Sequence, residues 1–408
     1  MDTQCLKCKG RGFCGRISCP ILAKANAFFK IKQSINKQDI NSASPSVFVG
    51  RQGYPNLNVG ILAPPENTED VWLHDAQTYW ADNNFQIKKI IQLRSELINS
   101  RFKLQVKQTN KLLNISKEIA MANKPVDVEI NLKEKPNQCI NFHSYSLPMG
   151  PNAQIRQARI TSNPSISQKV EKAVDAQDLK AHNSILSLYE QGFDENQLVK
   201  LLSTANLGIK IQRRLVPTRW AITAVDDIIA KNLISNIKYN KKADYSLYFG
   251  SYLGNYYAVL LFPDIWQFEL FETYLPRSSW NTGEEIQSMT DYEPYTGRKT
   301  YAAQTGGGYY AARLPVLEKL SNLKKQASVL VLRFITGEYY CPLGVWVCKS
   351  AIRKALTTKT LTFNSKDELI SYVDKLIKQN FNFNAQFILE KSKIMNNLKK
   401  QPKLSSFM

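Results

Sequence analysis

The chain has 408 residues, 43% hydrophobic, 11% aromatic and 22% charged, with 18 Gly and 17 Pro, which excludes a wholly disordered or fibrous polypeptide and allows several compact domains. Its 54 Lys and Arg against 34 Asp and Glu give a formal net charge of +20, a balance that suits a polyanionic partner, nucleic acid first. The longest apolar runs, such as 258–262 and 329–332, are far too short for a membrane helix, and the opening MDTQCLKCKGRGFC carries cysteines and cations where a secretion signal needs an apolar stretch, so no membrane partner and a cytoplasmic location are expected.

Four of the seven cysteines, Cys5, Cys8, Cys14 and Cys19, fall in the first nineteen residues as C-x2-C-x5-C-x4-C, whereas Cys139, Cys341 and Cys348 are scattered. In a cytosolic chain this cluster points to a metal and not to a disulfide framework. Four thiolates complete a tetrahedral zinc shell, and Gly10, Gly12 and Gly15 let the short backbone turn around the ion. A closed shell of this kind is structural, and metal binding supplies folding free energy to a segment too poor in apolar residues to make its own core. Cys19-Pro20 echoes the ending of ferredoxin runs, so an iron-sulfur cluster is the rival, although the other spacings do not match. The domain expectation starts here, with residues 1–30 as the metal segment.

Residues 31–46 are polar and rich in Ser and Asn, the composition of a linker. At 45–65, Val47-Phe48-Val49 and Val59-Gly60-Ile61-Leu62 resemble strands around a Gly-Arg-Gln-Gly-Tyr-Pro turn, where Arg51 between glycines could meet a phosphate or stand on a plain hairpin. Apolar residues recur at helical spacing from 75 to 102, predicting one long amphipathic helix. Pro-rich text near 150 suggests a boundary, giving an N-terminal lobe at 47–150 and a main lobe at 151–390. Asp194, Gln197, Phe193 and Leu198 carry the signals of a capped helix start, with its end at Gly208. A helix is expected from Thr223 and another from Ser365. Strand text at 245–249, 256–262 and 266–271 predicts an antiparallel meander, 316–323 a helix, and 328–334 and 339–347 two further strands. The whole reads as α+β.

The three histidines, His74, His143 and His182, share no metal-ligand spacing, and no Walker A, G-x-S-x-G or H-E-x-x-H pattern occurs. Asp226-Asp227 could bind a divalent metal, as a nuclease requires, or serve only as acids near the start of the helix expected from Thr223. Arg213, Arg214 and Arg219 with Trp220 could hold phosphates and stack a base, Trp220 being equally suited to a core. The Gly306-Gly307-Gly308 stretch beside Arg313 has the form of a flexible loop, able to close on a nucleotide or DNA end and equally suited to a plain surface loop. Residues 391–408 hold five lysines and no acid, a basic tail expected to be disordered when free. It ends in Gln401, Leu404, Phe407 and Met408, whose spacing places the apolar residues on one side of a helical turn, a groove-docking plug. This plug resembles the peptide that binds sliding clamps (PCNA), with Met408 standing where a second aromatic is usual.

With both ends in view, the chain resembles the archaeal Nre family of DNA-repair proteins. The resemblance rests on the cysteine cluster, on PSVFVGRQGYP at 45–55, LVPTRWAITAVDD at 215–227, YYAARLPVLEKL at 309–320 and EYYCPLGVWV at 338–347, and on the tail. It implies a role in DNA-damage repair, zinc at Cys5, Cys8, Cys14 and Cys19, and clamp docking through Gln401, Leu404, Phe407 and Met408. It implies no reaction, so a nuclease or other DNA-processing enzyme stands beside a non-catalytic factor. An RNA-binding or RNA-modifying factor is the alternative from composition. The candidate nucleic-acid contacts are Arg51, Arg213, Arg214, Arg219 and Arg313.

Overall fold

Apolar residues at period two and period 3.6 alternate along the chain, and a computed structural model, which describes residues 7–8, 10–13, 18–31, 35, 37–137, 148–278, 280–281 and 283–400, turns that text into two compact units. These are Cys19–Ile229 and Ala230–Met408, the described residues before Cys19 grouping with the second. The expected α+β class holds.

The first unit contains, in chain order, α1 (Pro20–Ile31), β1 (Asp39–Ser44), β2 (Ser46–Val49), β3 (Asn56–Ala63), a 3-10 turn (Val71–Asp75), α2 (Gln77–Asp82), α3 (Ile87–Glu96), β4 (Ile98–Gln105), α4 (Lys111–Met121), β5 (Val126–Leu132), β6 (Asn152–Ile160), α5 (Gln168–Asp175), α6 (Ala181–Glu190), α7 (Glu195–Ser203) and α8 (Thr218–Ile237), which crosses into the second unit. Its six-stranded sheet has the order β1-β5-β6-β4-β3-β2, antiparallel except at β4 and β6. In β5, Val126, Val128, Ile130 and Leu132 are buried and the polar residues between them are half-exposed, as a strand covered on one face requires. Those four join Val59, Ile61 and Phe102 in a core closed by Leu113, Ile115 and Ile119 of α4. Each such side chain, fully buried, contributes roughly 1.5–3 kcal/mol.

Three expectations change here. The long helix over 75–102 is broken: Asn84 adopts a left-handed backbone (φ 53) after α2, and residues from Ile98 onward alternate buried and half-exposed as β4. Helical spacing of isoleucines concealed a change of period. The linker expected at 31–46 carries β1, where Ser44 is buried with its hydroxyl donating to Leu62 O at 2.8 Å, so small polar residues enter a sheet once their hydroxyls are paired. Strand pairing bridges the boundary expected near 150, since β6, which begins just past it, joins β4 and β5, and the contacts divide the chain at 229/230.

The second unit contains β7 (Lys241–Lys242), β8 (Ser246–Tyr252), β9 (Asn255–Phe262), β10 (Gln267–Tyr274), β11 (Gln287–Glu293), α9 (Gly307–Leu323), β12 (Lys325–Gln326), β13 (Ser328–Ile335), α10 (Trp346–Thr357), β14 (Leu361–Thr362), α11 (Lys366–Phe381), α12 (Gln386–Leu389) and α13 (Lys393–Lys400). The six-stranded sheet runs β11-β10-β13-β9-β8-β14. β8 and β9 form the first hairpin of the expected meander, with its turn at Leu253-Gly254, one residue before the Gly254-Asn255 that the sequence suggested; both turn residues have positive φ, the backbone that a two-residue turn demands. The meander stops there. β10 pairs with β11 and, in parallel, with β13, which also takes the edge of β9. All eight residues of β13 are buried, because α9 and α10 lie on one face of the sheet and α11 to α13 on the other. At Gly250 a Cβ would stand 2.7 Å from Ala355 Cα, so the missing side chain sets how closely α10 approaches β8.

Helix starts followed the capping logic at Asp194, whose carboxylate accepts from Gln197 N at 2.8 Å, and at Ser365, whose hydroxyl accepts from Glu368 N at 3.2 Å. α7 ends at Ser203, before the expected Gly208, and α8 begins at Thr218, before the expected Thr223. The strand expected within 339–347 is irregular chain leading into α10. The basic tail is shorter than expected, since Lys393–Lys400 is helical and buries Ile394 and Met395.

Candidate nucleic-acid interface

Two distant motifs meet at the end of the first sheet. The turn at 50–55 joins β2 to β3, with Gly53 at φ +83 and its carbonyl accepting from Asn56 N at 2.8 Å. A Cβ on Gly53 would lie 2.8 Å from Asn56 O, so glycine is required. Thr218, the first residue of α8, accepts from Val49 N through Oγ1 at 2.9 Å. Leu215 N donates to Val106 O at 2.8 Å and Val106 N to Pro55 O at 3.0 Å, tying the RRLVPTRW segment to the end of β4 and to the turn. The result sets Tyr54 against Trp220, ring centroids 5.4 Å apart and planes tilted by 47°. Tyr54 is 50% exposed and Trp220 46%, which answers the alternative of a core tryptophan. Arg51, Arg214 and Arg219 are exposed on the same segments.

The other two candidate arginines have structural work. Arg213 is half-buried and donates to the carbonyls of Gly208 (2.7 Å), Val174 (2.7 Å) and Ala176 (3.4 Å). A cation on the last carbonyls of α5 offsets that helix end. Burial lowers its pKa from the ordinary arginine value, against the pull of Asp175, and Lys117 nearby is lowered by burial and by Arg213 itself. Arg313 is 1% exposed inside α9, ion-paired to Glu293, and so is not placed to touch a polyanion. The expected glycine loop beside it is the first turn of that helix.

The second unit surrounds Arg313 with buried polar groups that the sequence reading passed over. Glu293 also accepts from the Tyr309 hydroxyl at 2.8 Å, and burial followed by the Glu293 charge holds that phenol well above its ordinary value. Asp291 accepts from Thr305 N (2.8 Å), Thr305 Oγ1 (2.9 Å) and Arg298 (2.8 Å). Arg333 pairs with Glu272 and donates to Asn255 Oδ1 at 2.5 Å through Nη2. Gly308 leaves room for that pair, since a Cβ there would stand 2.3 Å from Glu272 Oε1. For Glu272 the visible signal was an acid among the apolar residues of β10; Asp291 and Glu293 stand in polar strand text and gave none. Asp226 and Asp227 lie inside α8, several residues from its start, so the helix-terminus reading of Asp226 falls. Among the described residues, no group of three or more His, Cys, Asp or Glu is placed to hold a metal.

Of the expected metal ligands, Cys5 and Cys14 lie outside the described residues, as do Gln401, Leu404, Phe407 and Met408 of the clamp-type plug. Cys19 precedes α1, with its carbonyl accepting from Ala23 N at 3.0 Å. Cys8 sits in a tight loop where Gly10 and Gly12 take positive φ (82 and 81), Arg11 N donates to Cys8 O at 2.8 Å and Phe13 N to Cys8 Sγ at 3.3 Å. Burial pushes this thiol up but is outweighed by the backbone N–H groups of Phe13, Gly12, Gly10 and Arg11, which hold it below the ordinary value. A loop that favours the thiolate fits a metal-ligating cysteine.

The fold and the motifs converging on it define the class: the chain belongs to the archaeal Nre family. The family description "Archaeal Nre, N-terminal" matches residues 13–281, and "Archaeal Nre, C-terminal" matches residues 293–407. Among individual relatives, the DNA repair protein NreA of Archaeoglobus fulgidus is 36% identical over 386 residues, 93% of this chain and 95% of its own length. The DNA repair protein NreB of the same organism is 33% identical over 373 residues, 91% and 93% of the two chains. The DNA repair protein NreA of Haloferax volcanii is 38% identical over 321 residues, 76% of each. No solved structure matches the chain. No helix among the described residues is long and apolar enough to cross a membrane.

Proposed function

We propose that this chain is a DNA-repair protein that binds DNA through the surface carrying Arg51, Arg214 and Arg219 and is recruited by the sliding clamp (PCNA) through Gln401, Leu404, Phe407 and Met408. The observation that carries the DNA contact is the meeting of the 50–55 turn with the start of α8, which gathers exposed guanidinium groups from separate parts of the sequence. Guanidinium pairs bidentately with phosphate and does not lose its charge. The names of the relatives, all DNA repair proteins, support the process. Cys5, Cys8, Cys14 and Cys19 would hold a structural zinc ion, supported by the thiolate-favouring loop at Cys8 and by the four-sulfur donor set. Bound zinc would supply folding free energy to this segment and no reaction step. A terminal clamp peptide raises the local concentration of DNA, so the arginine surface need not bind tightly alone.

The test pairs two titrations of the full chain, one with fluorescent DNA and one with purified clamp. Replacing Arg51, Arg214 and Arg219 together by Ala weakens DNA binding without changing clamp affinity. Removing residues 401–408 abolishes clamp binding without changing DNA affinity. DNA affinity unchanged in the triple variant sinks the assigned surface, and clamp binding that survives the deletion sinks the assigned peptide.

A further inference from the structure

We propose that the DNA taken by this surface is single-stranded, with unpaired bases stacked on Trp220 and Tyr54 while Arg51 and Arg219 hold the backbone. The inference rests on the DNA-binding reading above and adds the strand class. Two large rings stand in contact at the end of the first sheet, each about half-exposed. Their tilt of 47° keeps them from covering each other's faces as a parallel stack would. Duplex DNA stacks its base faces on one another inside the helix and presents only phosphates and base edges outside, so aromatic rings find no face to stack on. An unpaired strand offers both, and base–aromatic stacking beside a cationic track is how such strands are held. The charge around the rings is the complement of a strand: Arg51 lies three residues before Tyr54, Arg219 immediately precedes Trp220, and all four side chains are exposed.

The experiment measures anisotropy of a fluorescent oligothymidylate, and of a blunt duplex of equal length, on the full chain at moderate salt. The single strand binds more tightly than the duplex. Trp220→Ala lowers single-strand affinity roughly 5- to 100-fold, the loss expected for one stacked base, and leaves duplex binding and the unfolding midpoint unchanged. Trp220→Phe restores most of the affinity. Equal binding of both DNAs, with Trp220→Ala silent, overturns the strand assignment, and the arginine variants then show whether the DNA reading stands by itself. Absence of binding to either DNA even at low salt overturns both readings. Tighter binding of oligouridylate than of oligothymidylate overturns the choice of DNA.

Discussion

Arg313 and Glu293 face each other inside the second unit, each with about 1% of its side chain exposed. In the sequence that arginine stands beside three glycines and two tyrosines and looks like a ligand-binding residue. In the fold, Tyr309 and Tyr310 place their rings 5.3 and 5.4 Å from its guanidinium, and the pair is closed to water. Removing one member leaves the other charged and buried, so Arg313→Met should destabilise by about 3–5 kcal/mol, whereas adding Glu293→Leu should restore most of the loss. Denaturant unfolding of the two variants checks this, and a double variant as unstable as the single one contradicts it. Arg213 gives the same lesson. A charged residue's role depends on what stands over it, and burial of an arginine is set by residues remote in sequence.

At the scale of elements, α13 shows how a stretch with the composition of a free tail becomes attached. Glu269 of β10 accepts from Ser392 Oγ at 2.6 Å, Lys393 N at 3.0 Å and Ile394 N at 3.1 Å, so a buried carboxylate caps the first turn of the helix. Burial raises the Glu269 pKa from its ordinary 4.5, more than the Ser392 hydroxyl and the amides of Lys393 and Ile394 lower it. With the folded pKa raised, the protonated form is favoured in the docked state, so this contribution is full below pH 4.5 and is lost as the pH rises through the raised value. Hydrogen exchange at 393–397, corrected for its intrinsic pH dependence, should therefore show docking that tightens on acidification. In Glu269→Gln that trend should vanish, and an unchanged trend would assign it to another group. Capping signals at Asp194 and Ser365 were legible because both partners lie within four residues. The cap of α13 was not, because acceptor and donors are more than a hundred residues apart.

For the whole molecule, the excess of twenty positive charges bears on partners and not on fold. If Arg51, Arg214 and Arg219 each meet one phosphate, the logarithm of single-strand affinity should fall linearly with that of salt concentration, and each Arg→Ala change should reduce the slope by about 0.7. Affinity titrations over a salt series test this, and a slope unaltered in all three variants would mean that the contacts lie elsewhere.

By itself the sequence determined the α+β class, the antiparallel pairing of β8 with β9, two helix starts, the cationic character and the family, because each depends on local spacing or on composition. It could not determine the place of β13 between β9 and β10, the entry of β6 into the first sheet, or the roles of Arg213 and Arg313. It supplied Arg51 and Arg219 as separate candidates, and only the tertiary structure set Tyr54 against Trp220 beside them. Strand order and side-chain burial come from pairing between remote segments. That pairing is decided by which apolar faces can be closed together, and no spacing along the chain encodes it.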